Sequence, residues 1–325
     1  MKDKMKRYIF VFSLLIVSIA QFTFASQNGD LSNELLAWGF RRGENHTQPV
    51  LDSKSLKVIE KYNGIAMGNA NEKYVYLTFD SGYEAGYTEK ILNTLAENNV
   101  TAAFFITGHY LNTAEDLVKK MIEGGNIVGN HTVNHKCLPN LSDEQIKDEV
   151  MKLHNAVYEK TGYEMKFFRP PKGEFSERTT EYINTLGYTS VLWSSAYDDW
   201  DKNKQGREEY GKKKVLDNLH NGAVILLHST SKDNSVILGD LIKEIKAQGY
   251  EIRSLNDFVR WKFKNGAVLH SFHSFLYPYT LQNTLQVWYN KYAKKYQHKK
   301  SKKGMIVYEY FKFNRKIKNF NIRCK

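Results

Sequence analysis

From residue 74 onward, short apolar runs alternate with longer segments in which apolar residues recur every three or four positions. The first run, YVYLTFD, is rich in β-branched and aromatic residues and is typical of a strand. The segment that follows carries Ile91, Leu92 and Leu95 at helical spacing. The alternation predicts six helices between seven strands, which lie at 74–80, 102–106, 127–129, 167–169, 190–193, 223–227 and 251–253.

This alternation predicts an α/β fold. Repeated strand–helix units place parallel strands side by side and cover them with helices. A doubly wound sheet and a closed, slightly irregular barrel both satisfy the pattern, and both place their active sites at the carboxyl ends of the strands. The longest predicted helix is 142–161, because Ser142 and Gln145 match a capping box and Gly162 is suited to end it.

The N-terminal residues differ from this pattern. Residues 1–25 combine a basic start, an apolar run over 8–20 and small residues near Ala25, which predicts a signal peptide, or an uncleaved anchor if Ala25 is not a cleavage site. We therefore expect an exported protein that acts in the cell wall or at the outer face of the membrane. Residues 26–69 are predicted to be an extension that packs on the single catalytic domain, which spans residues 70–262.

Positive charge is concentrated at the C-terminal end. Residues 283–325 contain thirteen Lys and Arg and one acid, Glu309, so their net charge of +12 equals that of the whole chain. The rest of the chain is neutral, which argues against a nucleic-acid-binding protein. Residues 263–325 are predicted to be a basic, aromatic tail, either a solvated extension without a partner or a contact for an anionic membrane or wall polymer.

Polar side chains occur at the ends of several predicted strands, where such folds place their active sites. One Asp at a strand end is often only a cap for the next helix, but five polar residues at equivalent ends indicate a common site. These residues are Asp80, His131, Arg169, Asp199 and His228.

His131 and His135 have a spacing that suits a metal ion. If the segment is helical, both imidazoles lie on one face and can share the ion, although two solvated surface histidines would show the same spacing. Metal sites commonly take a third protein ligand, and Asp80 is the neighbouring carboxylate. Cys137 is close in sequence, but both it and Cys324 are expected to be free, since two cysteines do not build a disulfide fold.

Two further pairings follow from charge. Arg169 lies in RPPKG, where two prolines stiffen the strand end, and a buried Arg there needs an anionic partner such as Asp80 or Asp199. His228 follows a buried apolar strand, and Asp199 offers a carboxylate that can orient it and raise its pKa, which suits a general acid.

The motifs together resemble the polysaccharide deacetylase family, the carbohydrate esterases related to nodulation-factor deacetylases. The resemblance covers about residues 70–258 and rests on five motifs in order: TFDSG (78–82), HTVNH (131–135), RPPKG (169–173), AYDDW (196–200) and LLH (226–228). It implies a distorted, seven-stranded β/α barrel of parallel strands.

Two positions depart from the family pattern. Ser81 stands where the family usually has a second Asp as a metal ligand, and Ala196 replaces the first Asp of D-x-x-D-W. Both departures resemble the subgroup of muramic acid deacetylases that lead to δ-lactam in spore formers. The similarity to that subgroup extends through GYEAGYT at 82–88 and WGFRRG at 38–43.

The resemblance implies metal-dependent chemistry. It assigns a divalent ion, Zn²⁺, to His131 and His135, with Ser81 as a neighbour of the metal or of the substrate. It makes Asp80 the general base that takes a proton from the attacking water, and Arg169 the residue that orients Asp80.

The resemblance also implies a leaving-group acid and a substrate. His228 would protonate the departing amine and Asp199 would orient His228, while Trp193 and Trp200 are candidates for a sugar-facing wall or for ordinary core packing. The implied substrate is N-acetylmuramic acid in peptidoglycan strands from which a separate amidase has removed the peptide. If the organism forms spores, the implied location is the intermembrane space of the forespore. Two alternatives stay open: a deacetylase of another N-acetylated polysaccharide, or a glycan-binding protein without activity.

Overall fold

The alternating pattern forms a layer of parallel strands surrounded by helices in the computed structural model, which describes residues 31–264. The strands within that range are β1 (Leu36–Ala37), β2 (Phe40–Arg41), β3 (Val50–Leu51), β4 (Tyr74–Ser81), β5 (Ala103–Ile106), β6 (Ile127–Asn130), β7 (Phe167–Phe168), β8 (Glu174–Phe175), β9 (Thr189–Ser190), β10 (Ser195–Ala196), β11 (Ala223–His228) and β12 (Glu251–Ile252). The helices are α1 (Ser53–Lys61), α2 (Thr88–Glu97), α3 (Gly108–Thr113), α4 (Glu115–Glu123), α5 (Asp143–Thr161), α6 (Glu177–Thr185), α7 (Glu208–Asp217), α8 (Lys232–Ala247) and α9 (Leu255–Lys264).

The main sheet confirms the prediction of parallel strands. Within residues 31–264 it has eight strands, in the order β10-β11-β4-β5-β6-β7-β9, with β12 paired to the beginning of β4. The expected barrel is therefore a half-barrel. The single strand predicted at 190–193 is wrong in its extent. The strand β9 ends at Ser190, Val191 makes an isolated bridge to Ile65, and a second short strand, β10, follows at the other end of the strand order.

The strand β4 determines which residues can reach the site. Val75, Leu77 and Phe79 pack in the core cluster formed with the helices, whereas Tyr76 packs with the interior side chains of neighbouring strands. Because successive side chains on a strand point to opposite faces, residue 80 shares the interior face with Tyr76. The sequence alternation therefore places the Asp80 carboxylate inside the curved sheet, at the end of a buried strand.

Two local sequence motifs, the capping box at Ser142 and GYEAGYT at 82–88, lie where helices begin. The capping box predicted at Ser142 is present, and Gly162 ends α5 with a φ of 71°, in the left-handed region that glycine tolerates best. The glutamate of the GYEAGYT motif has a comparable function. The Glu84 carboxylate accepts the backbone N–H groups of Gly86 and Tyr87, at 2.5 and 3.0 Å, just before α2 begins.

The N-terminal extension packs against the edge of the site. Strand β1 pairs antiparallel with β8, and the indole Nε1 of Trp38 donates a 2.8 Å hydrogen bond to the carbonyl of Trp193. Gly173 is required here, because a Cβ at this position would lie 2.9 Å from both Trp38 and Trp193, and its φ is +69°. This contact fixes the turn that follows Arg169.

Some of the expectations lie outside the described residues. The signal peptide or anchor at 1–25 stays a prediction, as does the basic tail, since the structure describes only the first two residues of 263–325. Between residues 31 and 264, no helix has the length and apolar character needed to cross a bilayer.

Candidate active site

Asp80 and Arg169 form a buried ion pair at the carboxyl end of β4. The guanidinium Nη1 donates to Asp80 Oδ1 at 2.7 Å, and the arginine side chain is 0% exposed. Burial raises the pKa of Asp80, but the positive charge of Arg169, its hydrogen bond and the charged imidazole of His228 lower it more strongly, so the pKa lies below its usual range. Asp80 is therefore a carboxylate at neutral pH and can accept a proton.

Arg169 is held on every side by the strands around it. Its Nε donates to the carbonyl of Val191 at 3.1 Å, and its Nη2 donates to Thr78 Oγ1 at 2.9 Å. The guanidinium carbon lies 4.1 Å from the centre of the Phe105 ring. These contacts leave the guanidinium a single orientation, toward Asp80.

His131 lies next to this pair and is fixed by the backbone. Its Nδ1 donates to the carbonyl of Arg169 at 2.8 Å, so the ring lone pair is on Nε2, which lies 3.5 Å from Asp80 Oδ2. Burial lowers the pKa of His131, so the ring is neutral at pH 7.

The approach of His135 to His131 comes from a turn and not from the helix considered for this segment. Thr132 and His135 both have positive φ, 67° and 55°, and Thr132 Oγ1 accepts the backbone N–H of His135 at 2.9 Å. Asn134 is anchored by Glu149 on helix α5, whose carboxylate accepts its backbone and side-chain N–H groups, each at 2.8 Å. This turn, without any helix, brings the two imidazoles together.

The two histidines suit a shared metal ion. Their Nε2 atoms are 3.1 Å apart, and two nitrogens that bind zinc at about 2.0–2.1 Å in tetrahedral geometry stand about 3.3 Å apart. Burial and the neighbouring His131 lower the pKa of His135 to about 4, so both rings are neutral ligands at pH 7. In the part of the chain that the structure describes, however, no three His, Cys, Asp or Glu side chains form a metal-binding group.

Asp199 and His228 form a second pair beside the first. Asp199 Oδ1 accepts the ring Nδ1–H of His228 at 2.8 Å, and the Asp199 side chain is fully buried. Burial opposes the charged form of His228, but the Asp199 charge and hydrogen bond outweigh it and raise the pKa of His228 above its usual value. His228 is the residue opposite Asp80 in the pairing of β11 with β4, so the two pairs lie side by side.

Comparisons with known proteins decide the family. A polysaccharide deacetylase family model matches residues 67–191. The peptidoglycan-N-acetylmuramic acid deacetylase PdaA of Bacillus subtilis is 40% identical over 236 residues, which cover 72% of this chain and 90% of PdaA. This chain belongs to the polysaccharide deacetylase family. A peptidoglycan-N-acetylglucosamine deacetylase of Bacillus cereus is 32% identical over 195 residues, or 59% of this chain and 91% of that protein.

A solved structure extends the likeness to the fold. The polysaccharide deacetylase fold of Bacillus subtilis PdaA, a family 4 carbohydrate esterase, superposes with a TM-score of 0.70 at 40% identity and covers 71% of this chain and 100% of that one. Enzymes of the polysaccharide deacetylase family are generally metal-dependent, which agrees with the two converging imidazoles.

The remaining candidates occupy different places in this polysaccharide deacetylase. Ser81 is fully buried, and its hydroxyl accepts a 2.8 Å hydrogen bond from Ser229. Trp200 is 62% exposed on the segment after β10. Trp193 instead packs beneath the site, its ring centre 5.6 Å from the Arg169 guanidinium carbon. Cys137 is a free thiol whose pKa is raised by burial and by Glu174.

Proposed function

We propose that this protein removes the N-acetyl group from N-acetylmuramic acid residues of peptidoglycan by metal-dependent hydrolysis. One observation carries the chemistry: the carboxylate of Asp80 and the imidazole of His228 occupy paired positions at the ends of adjacent strands. A base and an acid therefore flank one small volume. The polymer and the sugar are proposed from the names of the relatives, which act on peptidoglycan and, for PdaA, on N-acetylmuramic acid.

His131 and His135 are the residues that would hold the metal. When bound, a divalent ion, for which we propose Zn²⁺, supplies a Lewis acid for the acetyl carbonyl and lowers the pKa of water. Both imidazoles are neutral at pH 7, as metal ligation requires, and His131 has its outer nitrogen fixed by the Arg169 carbonyl. Asp80 is near enough to act on a water in the same volume.

The acetamide bond is then cleaved in two proton transfers. Asp80 accepts a proton from water as the water oxygen bonds to the acetyl carbonyl carbon, which produces a tetrahedral species. His228 donates its proton to the amide nitrogen as the carbon–nitrogen bond breaks, so the products are acetate and a free amine on the sugar. Arg169 keeps Asp80 directed at the water, and Asp199 keeps His228 protonated and correctly turned.

The product suggests the biological setting. An amine freed on muramic acid can close onto the lactyl carboxyl group of the same sugar once the stem peptide is gone, which gives muramic δ-lactam. We place the enzyme after an amidase, outside the cytoplasm, and in the forespore intermembrane space if the organism forms spores. The tail at 263–325 is proposed as a contact for an anionic membrane or wall polymer.

Incubation with defined glycans tests the proposal. The mature protein should release acetate from peptide-stripped glycan strands, and mass spectrometry of the muropeptides should locate each free amine on muramic acid. Amines on glucosamine would show that the substrate is a different N-acetylated sugar. Normal δ-lactam in the cortex of a deletion strain with no second deacetylase would contradict the sporulation role.

Ser81 favours one alternative that the same assay separates. The alternative is a glycan-binding protein without activity, and a family 4 carbohydrate esterase pseudoenzyme of Bacillus anthracis, at 25% identity and a TM-score of 0.57, is an inactive protein of the same fold. Binding to glycan strands without acetate release, in the presence of added Zn²⁺, would support that alternative.

A further inference from the structure

The carboxylate of Asp199 accepts a hydrogen bond from Asn234, a residue that lies outside all five sequence motifs. Asp199 Oδ2 accepts the backbone N–H of His228 at 2.7 Å and the side-chain Nδ2–H of Asn234 at 2.6 Å, while Oδ1 accepts the imidazole. Asn234 lies in the first turn of α8, after the His228 strand, and is 1% exposed. The acid, its carboxylate and this amide therefore form one buried chain of contacts.

Tyr197 determines which way the Asn234 amide faces. Its hydroxyl donates to Asn234 Oδ1 at 2.5 Å, and Asn234 Nδ2 also donates to the carbonyl of His228 at 3.1 Å. A carboxylate and a carbonyl can only accept, so the NH₂ group must face them and the amide oxygen must face the hydroxyl. A flipped amide would present its oxygen to Asp199 and leave Tyr197 without its acceptor.

The start of helix α8 does not need the Asn234 side chain. Ser231 is the N-cap, and its hydroxyl accepts the backbone N–H of Asn234. The neighbouring Asp233 binds the backbone N–H groups of Gly206 and Arg207, at 2.7 and 2.9 Å, and so fixes the preceding loop. Only Asn234 directs its side chain from this turn to Asp199.

We propose that Asn234, oriented by Tyr197, is a positioning residue for proton delivery by His228, an inference that rests on the proposed function of His228 as leaving-group acid. Asn234 satisfies the second oxygen of Asp199, so the first oxygen stays in the plane that binds the imidazole. Loss of the amide frees the carboxylate to rotate and misplaces the proton that His228 must deliver.

Two substrates separate this role from a purely structural one. An N-acetylated glycan oligomer requires a proton on its departing amine, whereas 4-nitrophenyl acetate releases a phenolate that needs none. Asn234→Leu should lower kcat on the glycan about 10- to 100-fold, as expected for loss of a hydrogen bond to a charged group, and leave kcat on the aryl ester within about threefold. Tyr197→Phe should lower glycan kcat about 2- to 10-fold, because a neutral hydrogen bond is lost.

Matched variants complete the design. Asn126 is also buried and accepts the Ala102 N–H with its side-chain oxygen, but it precedes β6, at the opposite end of the strands. Asn126→Leu should lower thermal stability without changing the ratio of the two activities. Asp80→Asn should lower turnover of both the glycan and the ester, by about 10²–10⁴-fold for the glycan. A wild-type protein that is inactive on glycans would contradict the proposed function and not this inference.

Proton NMR of the His228 imidazole gives a second measurement that does not depend on turnover. The imidazole Nδ1–H of His228 should give a downfield proton NMR signal that persists in Asn126→Leu and is lost or moved upfield in Asn234→Leu. If Asn234→Leu does not fold, the nearly isosteric Tyr197→Phe carries both measurements. Equal losses on the two substrates, or unchanged glycan kcat and an unchanged signal, would overturn the inference.

Discussion

Replacing Arg169 by Met should show how strongly the site depends on its buried ion pair. The arginine is 0% exposed and lies 2.7 Å from Asp80 Oδ1, so the change leaves a buried carboxylate without its cation. Removal of one partner of a buried pair costs about 3–5 kcal/mol of unfolding free energy. In a domain of this size each kcal/mol lowers Tm by about 2–4 °C, so the melting temperature should fall by about 6–20 °C.

The loss should depend on pH in a defined direction. In the wild type the pKa of Asp80 lies below its unfolded value, so the pair's contribution is present above about pH 3.9 and is lost as the pH falls through the folded pKa. In Arg169→Met the opposing charge is gone and burial raises the pKa of Asp80, so the variant is penalised as the pH rises. The difference in stability between the two proteins should therefore be largest near pH 7 and shrink toward pH 4.

Thermal and urea unfolding at both pH values provide the measurement. The matched control is Arg260→Met, since Arg260 is 74% exposed in its pair with Asp257 and should lose no more than about 0.5 kcal/mol. Adding Asp80→Asn to Arg169→Met should restore part of the stability, because the uncompensated charge is removed. A loss below about 1 kcal/mol at pH 7, or an equal loss at pH 4, would refute this reasoning.

Other changes should separate the roles of the site and the tail. Asp80→Asn should keep the fold and lower acetate release about 10²–10⁴-fold, and near-normal kinetics would exclude Asp80 as the base. Asp199→Asn removes the charge that raises the pKa of His228, so the alkaline limb of kcat should move to lower pH, and a fixed limb would contradict the pairing. Ser81→Asp should tighten Zn²⁺ binding in calorimetry, with Ser81→Ala as its control. Removal of residues 265–325 should preserve turnover on a soluble oligomer and weaken salt-sensitive binding to anionic vesicles; lost turnover would mean that the tail completes the domain.

The positions of the central residues could be predicted because they depend on regular strands. Asp80 and His228 each follow a buried apolar run, and parallel pairing then brings the ends of the two runs together. Charge alone does not choose between Asp80 and Asp199 as the partner of Arg169. The structure chooses Asp80, because Arg169 and Asp80 share the interior of the curved sheet.

Other features of the site depend on turns and side-chain contacts that cannot be predicted from the spacing of apolar residues. The turn at His131–His135 relies on two non-glycine residues with positive φ and on Glu149, which lies fourteen residues farther along the chain. Asn234 reaches Asp199 across 35 residues, with no motif linking them. Likewise, the sequence does not distinguish Trp193, which packs beneath Arg169, from Trp200, which is exposed.

Serine at position 81 alters the charge of the site as well as its ligand number. The ion pair of Asp80 and Arg169 is neutral, and so is the pair of Asp199 with protonated His228. A divalent ion bound by His131 and His135 would add two positive charges, and the second Asp that is usual in the family would cancel one of them. Once the stem peptide has been removed, N-acetylmuramic acid carries a lactyl carboxylate that N-acetylglucosamine lacks, and two unit charges about 8 Å apart at an effective dielectric constant of about 20 attract by about 2 kcal/mol. We therefore expect both weaker metal binding and a preference for the anionic sugar from the same missing carboxylate.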